Sequence, residues 1–370
     1  MWYRTPFSLD RERKLLIRKS DRSLPERNNF DAIRLAMALL VVWSHSFALH
    51  LGNENAEWVN RVMGGHFTAG TMAVMVFFVI SGFLIAQSFD RSRSKRSYLE
   101  KRVCRIYPGY MVATAICAFV VVPMFSTNVD LSVVRDMKVI VHNLLLQNIM
   151  PPSDAFATNP YPLRVNNSLW TIPLEFACYL GVLLLGAKRR TALVGLLVLV
   201  TLARVGMDMF IDKPWLGLTN WPFLLSLFTP SFLVGMIAYS YRDWLPRSRA
   251  ILIAAVFVTV VSSHINANLA NLIVAPAVGY ATFYLAFSDR IRLPDAAKNG
   301  DFSYGAYLYA FPIQQMLQAT LGERLNLPLF IAASLALSLV AGFASWHLVE
   351  KHFLVRGRVL RSPLALHATT

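Results

Sequence analysis

The chain has 370 residues, of which 55% are hydrophobic and only 15% are charged. Because an average soluble domain carries about 25% charged residues, this composition argues against a soluble protein. The formal net charge of +15 would suit nucleic-acid binding, but no basic stretch forms a folded nucleic-acid module, and basic residues also accumulate in the cytoplasmic loops of membrane proteins. We therefore expect an integral membrane protein, whose apolar surface contacts membrane lipids. We expect no nucleic-acid partner.

Residues 1–32 contain eight Lys or Arg residues and no apolar core, so we interpret them as a basic cytoplasmic segment and not as a cleavable signal peptide. Residues 33–352 contain ten apolar segments, most of them near the ~20 residues that cross a bilayer. The pattern predicts an all-α integral membrane domain of about ten transmembrane helices, followed by a short cytoplasmic tail at 353–370. The predicted helices are 33–51, 70–89, 106–125, 169–187, 191–207, 222–241, 250–265, 269–287, 302–321 and 327–348.

The charges of the loops predict the orientation of this bundle. With the N-terminus in the cytoplasm, alternate loops and the two ends carry 28 Lys and Arg residues, whereas the loops of the opposite side carry six. This distribution follows the positive-inside rule and places both termini in the cytoplasm. The sequence thus predicts a multi-pass protein of the inner (plasma) membrane. It leaves the oligomeric state open, a homo-oligomer included.

The longest loop of the predicted outer side, at about 126–168, contains several Pro, Asn and Asp residues. Long loops without secondary structure are often functional. The loop either covers a site from the outside or is a plain connector, and the sequence does not choose between the two.

Two polar residues of the first helix are candidate site residues, because charged groups inside a bilayer are costly. Arg34 and His45 are eleven residues apart, which at about 100° per residue puts both on one helix face, about 16 Å apart along the axis. His45 could act as a general base. The alternative is a structural histidine that is bonded to a neighbouring carbonyl, which is the more common role of a single helix histidine.

Arg102 and Arg105 follow the second apolar segment with a spacing of i, i+3, so they share a helix face. Paired guanidinium groups suit phosphate oxygens, which they bind through charge-assisted bonds. The alternative is a positive-inside anchor, which would also explain the other basic residues nearby.

Other polar residues have several interpretations. Glu175 lies near the outer end of the fourth helix, where it could orient an imidazole, accept a proton or pair with an arginine. In the second helix, Gly82 predicts a close helix contact and Ser81 a hydrogen bond across that contact. Glu350 and Lys351 close the tenth helix and are interpreted as a pair at the inner membrane interface.

The three cysteines are widely spaced, and we predict no disulfide and no metal site.

Several of these segments together resemble the acyltransferase 3 family of membrane-bound O-acyltransferases. Each segment is weak evidence alone, but six in this order over about residues 28–352 are specific. The segments are 29–34 with His45, 76–85, 102–108, 168–175, 303–312 and 348–351. The sequence departs from many relatives at Ala310, where they have a histidine, and at Leu35 and His352, where they have Gly and Pro.

The resemblance implies ten helices, a cytoplasmic acyl donor that is usually acetyl-CoA, and a carbohydrate acceptor on or beyond the outer face. Typical acceptors are lipopolysaccharide and exopolysaccharide. The family's Arg-x10-His pattern falls on Arg34 and His45, and its Arg-x-x-Arg pattern falls on Arg102 and Arg105.

These implications lead to a hypothesis for the mechanism. Arg102 and Arg105 hold the phosphates of acetyl-CoA or another acyl-CoA, and Arg34 adds positive charge nearby. His45 deprotonates a sugar hydroxyl, and Glu175 orients His45. An acyl-His45 intermediate stays open as a variant. Rival classes are a secondary transporter or polysaccharide exporter, which would show paired repeats and interrupted helices, and a membrane sensor or assembly partner, in which the buried His and Glu would be replaceable.

Overall fold

The computed structural model describes residues 28–132, 137–186, 190–210, 221–288 and 290–354. The regular secondary structure of these ranges is helical, apart from one isolated β-bridge between Val129 and Ser153. The prediction of an all-α protein is confirmed. The predicted cytoplasmic segments at 1–32 and 353–370 lie almost entirely outside the described residues, so their assignment stays a prediction.

The helices follow one another with short connections in most places. They are α1 (Phe30–Leu51), α2 (Trp58–Val62), α3 (Ala69–Asp90), α4 (Lys95–Ile116), α5 (Met137–Leu144), α6 (Thr171–Leu185), α7 (Arg190–Phe210), α8 (Trp221–Ser240), α9 (Arg249–Ile265), α10 (Ala267–Ala286), α11 (Ser303–Leu321) and α12 (Leu327–Ser345). A π-helical turn, Cys117–Val121, continues α4 into the short helix Val122–Phe125, and a second one, Trp346–Glu350, extends α12.

Each predicted segment overlaps one of these helices, although the bounds differ. In the described ranges, seven helices are long and apolar enough to cross a membrane, namely α1, α3, α4, α7, α8, α10 and α12. Helices α6 and α9 are apolar but have only 15 and 17 residues, and α11, which contains several Tyr and Gln residues, is not among the seven. The apolar helices support a membrane protein, while ten crossings and two cytoplasmic termini stay predictions.

Helix α4 begins about three turns before its predicted start at residue 106. The side chain of Ser94 accepts a hydrogen bond from the backbone N–H of Ser97 and so caps the helix. Because Lys, Arg and Glu are good helix formers, the basic run after Ser94 continues the helix. The predicted start was therefore wrong, and Arg102 and Arg105 lie on the same rigid element as the apolar part of α4.

Helix α3 lies at the centre of the bundle and contacts α1, α4, α6, α8 and α10. Its backbone crosses that of α8 at Gly82 and Gly235. A methyl group on Gly82 would lie 2.0 Å from the carbonyl oxygen of Phe232, and one on Gly235 would lie 2.1 Å from that of Val79. The prediction that Gly82 allows close helix packing is confirmed.

Buried amide side chains fasten the long loop between α5 and α6 to α11. Gln315 is fully buried, and its Nε2 donates to the carbonyl oxygens of Tyr161 and Arg164 at 2.8 and 2.7 Å. Nδ2 of Asn159 donates to Oε1 of the same glutamine at 2.7 Å. Because these bonds fix the loop backbone, the second half of the loop is an ordered wall of the bundle and not a plain connector.

Replacing Gly82 with Ala is expected to force α3 away from α8, because the added methyl group would overlap the carbonyl oxygen of Phe232. Overpacking of this kind costs about 1–3 kcal/mol. The thermal midpoint in detergent and the yield of monodisperse protein should both fall. Gly206→Ala in α7 is the matched control, because no described atom lies within 4 Å of its added methyl group. An equal effect of the two substitutions would contradict the prediction.

Candidate active site

A largely buried carboxylate, that of Asp301, connects two arginine-bearing helices, and its side chain is 16% exposed. Oδ2 of Asp301 accepts hydrogen bonds from Nη1 of Arg34 in α1 at 2.7 Å and from Nη2 of Arg105 in α4 at 2.5 Å. Oγ of Ser303, at the start of α11, donates to the other carboxylate oxygen at 2.5 Å. Burial alone would raise the pKa of Asp301, but the charges of Arg34 and Arg105 outweigh burial and hold this pKa well below its usual range. Asp301 therefore stays ionised and connects α1, α4 and α11.

Arg105 has a second acidic neighbour, Glu350. Its Nη1 lies 3.7 Å from Oε2 of Glu350, whose other oxygen accepts a hydrogen bond from Oγ of Ser345 at 2.8 Å. The ring of Tyr304 lies 5.4 Å from the same guanidinium. Glu350 is only 2% exposed and belongs to the π-helical turn after α12. The interpretation of Glu350 and Lys351 as a pair at the inner membrane interface is wrong for Glu350, which faces α4 inside the bundle.

Arg102 has a different environment. Among the described residues, no carboxylate lies within ion-pair distance of its guanidinium. Its Nη2 donates to Oγ of Ser88 at 3.3 Å, and its guanidinium lies 5.9 Å from the centre of the Tyr179 ring. Its Nε is buried and has no hydrogen-bond partner in the described part of the chain. Arg102 can therefore bind an anionic ligand without breaking an ion pair.

The three arginines line a narrow cavity, which we call the arginine cavity. Its lining includes Arg34, Arg102, Arg105, Ser81, Glu175 and Tyr304. Oγ of Ser81 donates to Oε1 of Glu175 at 2.7 Å, and the hydroxyl of Tyr179 donates to the same oxygen at 2.5 Å. Ser81 does form a hydrogen bond between helices, but its partner is Glu175 of α6. The predicted place was wrong, because the close contact of Gly82 is with α8.

His45 lines a second cavity of about 700 Å³, which we call the histidine cavity. Its lining includes His45, Glu54, Tyr161, Arg164, Ser168 and Trp170. The ring of His45 lies edge-on to that of Phe311, with 5.5 Å between the ring centres. Nδ1 of His45 is buried and makes no hydrogen bond within the described ranges. The carbonyl bond expected of a structural histidine is therefore not found at this nitrogen.

The two cavities share a wall that is formed by Val74, Thr171 and Tyr307. The hydroxyl oxygens of Thr171 and Tyr307 are 2.7 Å apart, and the Tyr307 hydroxyl donates to the backbone carbonyl of Ser168 at 2.9 Å. A ligand that enters between the arginines has to pass these side chains to reach His45.

The structure divides the predicted site residues between the two cavities. The arginine cavity contains Glu175 and the three predicted arginines, whereas His45 lies in the adjoining histidine cavity. The carboxylate of Glu175 is bound by two hydroxyl donors of the arginine cavity, and no described hydrogen bond joins it to His45. The hypothesis that Glu175 orients His45 thus has no contact that supports it.

Two carboxylates of the site, Asp301 and Glu54, are not among the predicted site residues. Asp301 falls in a predicted cytoplasmic loop, two residues before the family-like segment 303–312, and that position is the signal that the sequence offers. Glu54 lines the histidine cavity, and burial raises its pKa. It follows Gly52, which ends α1 in the left-handed conformation at φ +76°. No motif marks Glu54 in the sequence.

Comparison with known proteins identifies the family of this chain. A family profile described as an acyltransferase domain matches residues 27–347, a range that includes all the lining residues of both cavities. The protein belongs to the acyltransferase 3 family. It is an acyltransferase, and the resemblance of its sequence segments is confirmed. No solved structure shows a significant match to this acyltransferase.

Several named proteins are similar to this acyltransferase over most of its length. The O-acetyl transferase of Shigella phage Sf6 is 31% identical over 342 residues, which cover 89% of this chain and 96% of the relative. Nodulation protein 10 of Rhizobium leguminosarum bv. viciae is 29% identical over 329 residues, which cover 81% and 86% of the two chains. Exopolysaccharide production protein ExoZ of Rhizobium meliloti (strain 1021) is 27% identical over 315 residues, which cover 80% and 94%.

Asp301→Asn is expected to destabilise this acyltransferase at pH 7, because Arg34 and Arg105 lose their nearest carboxylate and keep only those of Asp31 and Glu350, at 3.9 and 3.7 Å. Removing one partner of a fully buried ion pair costs about 3–5 kcal/mol, whereas an exposed pair contributes about 0–1 kcal/mol. Because the three side chains are 16–20% exposed, the loss should lie between these values, and the thermal midpoint in detergent should fall accordingly. Glu100→Gln is the matched control. It removes an ion pair with Arg96 whose side chains are 90% (Arg96) and 53% (Glu100) exposed, and such pairs contribute about 0–1 kcal/mol.

The difference in stability between the wild type and Asp301→Asn should depend on pH. The pKa of Asp301 is lower in the folded protein than the ordinary value of about 3.9, so its stabilising contribution is fully present above that pH and is lost as the pH falls through the folded-state pKa. The difference in midpoint between the wild type and Asp301→Asn should stay constant from about pH 8 to 5 and shrink below about pH 4. A difference that grows on acidification would refute the assigned charge state.

Proposed function

We propose that this acyltransferase takes an acetyl group from acetyl-CoA on the cytoplasmic side of the membrane and transfers it to a carbohydrate hydroxyl on the opposite side. The observation that carries the proposal is the pair of adjoining cavities, one lined by three arginines and the other by His45. A thioester and an alcohol that enter from opposite sides would meet at the shared wall of Val74, Thr171 and Tyr307.

The arginine cavity suits the donor. CoA carries phosphate groups, and the buried Nε of Arg102, which lacks a partner in the described residues, is a donor available to them. Arg34 and Arg105 are held in place by Asp301 and add positive potential. The rise from Arg34 to His45 is about 16 Å, which is comparable to the reach of a pantetheine arm. Another acyl-CoA would use the same phosphate contacts.

The histidine cavity suits the acceptor. Its volume of about 700 Å³ is within the range of small-molecule sites. Trp170 and Tyr161 offer aromatic faces, while Glu54 and Arg164 offer an acceptor and donors for hydroxyl groups. One relative is named an O-acetyl transferase and another an exopolysaccharide production protein. By similarity, we propose a polysaccharide acceptor such as lipopolysaccharide or exopolysaccharide.

His45 is the proposed general base. A neutral imidazole has a ring nitrogen that can accept a proton from a reacting hydroxyl, and His45 lines the cavity assigned to the acceptor. In this reaction it takes the proton of the acceptor hydroxyl as the oxygen attacks the thioester carbon, and it returns that proton to the departing sulfur. Glu175 and Arg34, which line the arginine cavity, would act on the donor side.

The proposed sidedness requires a specific orientation in the inner (plasma) membrane. The excess of basic residues in alternate loops supports an N-terminus and a C-terminus in the cytoplasm, with residues 33–352 as the membrane domain of ten crossings. The arginine cavity then opens toward the cytoplasm.

His45→Gln should abolish acetyl transfer while leaving folding and donor binding intact, because losing a general base costs about 10²- to 10⁴-fold in rate. The measurement is mass spectrometry of surface glycans from cells that lack the protein or carry the wild type or the variant. The acetyl ester should be present only with the wild type. His66→Gln, at an exposed position outside both cavities, is the control and should restore the ester. Full ester content in the His45 variant would exclude the proposed base.

Arg102→Gln should weaken CoA binding about 10- to 100-fold, because a charge-assisted hydrogen bond contributes about 1.5–3 kcal/mol. Calorimetry with CoA and the purified protein measures the effect. Arg96→Gln on the same helix is the control, since its side chain is 90% exposed. Arg105 is a poorer test, because its loss also removes one of the two cations of Asp301 and the arginine partner of Glu350. If CoA affinity is the same in all proteins, Arg102 is only a positive-inside anchor.

A further inference from the structure

A buried hydroxyl with no hydrogen-bond partner lies beside the wall between the two cavities. Ser168 is 1% exposed and lines the histidine cavity, and its Oγ makes no hydrogen bond to any described residue. A buried polar group without a partner is unfavourable, so a ligand that accepts its proton gains from binding there. The proton of Ser168 is available without the loss of any existing bond.

Thr171 places a second hydroxyl in the same wall, three residues along the chain. It is 5% exposed and lines both cavities. Its Oγ1 is 2.7 Å from the hydroxyl oxygen of Tyr307, while Tyr307 donates to the backbone carbonyl of Ser168 at 2.9 Å. The same Oγ1 also lies 3.4 Å from the carbonyl oxygen of Ser168, a long contact that Tyr307 duplicates with its shorter bond. To donate to a ligand, the Thr171 hydroxyl has to rotate about its C–O bond away from these two partners, while Tyr307 still holds the backbone of Ser168.

Helix α6 starts at this point and adds a favourable field. It has 15 residues, and the cap residue, Trp170, makes no side-chain hydrogen bond to the first turn. Trp170 and Thr171 both line the histidine cavity. The N-terminus of a helix carries a partial positive charge, which stabilises a negative charge close to that end of the helix.

We propose that the hydroxyls of Ser168 and Thr171, at the N-terminus of α6, form the oxyanion site of this acyltransferase. The inference rests on the proposed function. As the acceptor oxygen bonds to the thioester carbon, the carbonyl π electrons move to the carbonyl oxygen, and the acceptor proton moves to His45. Ser168 and Thr171 donate hydrogen bonds to that negatively charged oxygen. When the carbonyl forms again, the C–S bond breaks and the sulfur takes the proton from His45.

The test compares Ser168→Ala and Thr171→Val with the wild type, all as full-length protein in detergent. The donor is acetyl-CoA, and the acceptor is surface polysaccharide of the expressing cells after its esters have been removed with mild alkali. Loss of one oxyanion donor should lower kcat about 10²- to 10³-fold and leave both KM values nearly unchanged. Thr171→Ser retains the hydroxyl and should retain most of the activity.

Two matched controls remove similar hydroxyls elsewhere. Ser338 in α12 is fully buried, and its Oγ likewise has no partner among the described residues. Thr282 in α10 is 2% exposed and donates to the carbonyl of Val278 at 2.7 Å. Neither residue lines the arginine cavity or the histidine cavity. Ser338→Ala and Thr282→Val should keep the wild-type kcat.

Two results would overturn the inference while the wild type remains active. One is a wild-type kcat in both Ser168→Ala and Thr171→Val. The other is a loss that falls entirely on the KM for the polysaccharide, which would assign the hydroxyls to acceptor binding. A wild-type protein that transfers no acetyl group from acetyl-CoA would instead overturn the proposed function, so the two failures are distinguishable.

Discussion

Asp301 and the two arginines that it binds hold the parts of the site in one arrangement. Burying single charges is costly, and the cost is offset only when every partner is in place. Helices α1 and α4 contribute the arginines, and the segment just before α11 contributes the carboxylate, so a shift of any of the three breaks the shortest ion pairs of the network. Because His45 lies on α1 and Arg102 on α4, this ion network also sets the spacing between the two cavities.

The two arginines of α4 look equivalent in the sequence but have unlike environments. Arg105 lies between Asp301 and Glu350, whereas Arg102 donates to Ser88, lies over the ring of Tyr179 and has no ion pair within the described ranges. One helix face thus combines a cation that stabilises the bundle with a cation that is open to a ligand. The two interpretations of the pair, phosphate binding and anchoring, therefore need not apply to both members.

Local patterns predicted the helices, while packing decided the site. Apolar runs marked ten of the twelve numbered helices because lipid excludes polar stretches, whereas the short helices α2 and α5 were not predicted. The face shared by Arg34 and His45 follows from helix geometry alone. Asp301, by contrast, meets Arg34 and Arg105 across 267 and 196 residues of chain, and no local pattern encodes such distances. Whether Glu175 meets Ser81 of α3 depends on which face of α6 packs against α3. Its separation from His45 could therefore not be foreseen from the positions of the two residues in the sequence.

The bonds that attach the long loop to α11 involve its main chain. Gln315 contacts the carbonyl oxygens of Tyr161 and Arg164, and every residue type supplies that atom. The side chains of the same two residues line the histidine cavity. Point substitutions there can remodel that cavity while these main-chain bonds and the ion network remain, although Tyr161 would also lose its ring contact with Phe311. Evolution can thus vary what such an enzyme recognises independently of how it reacts.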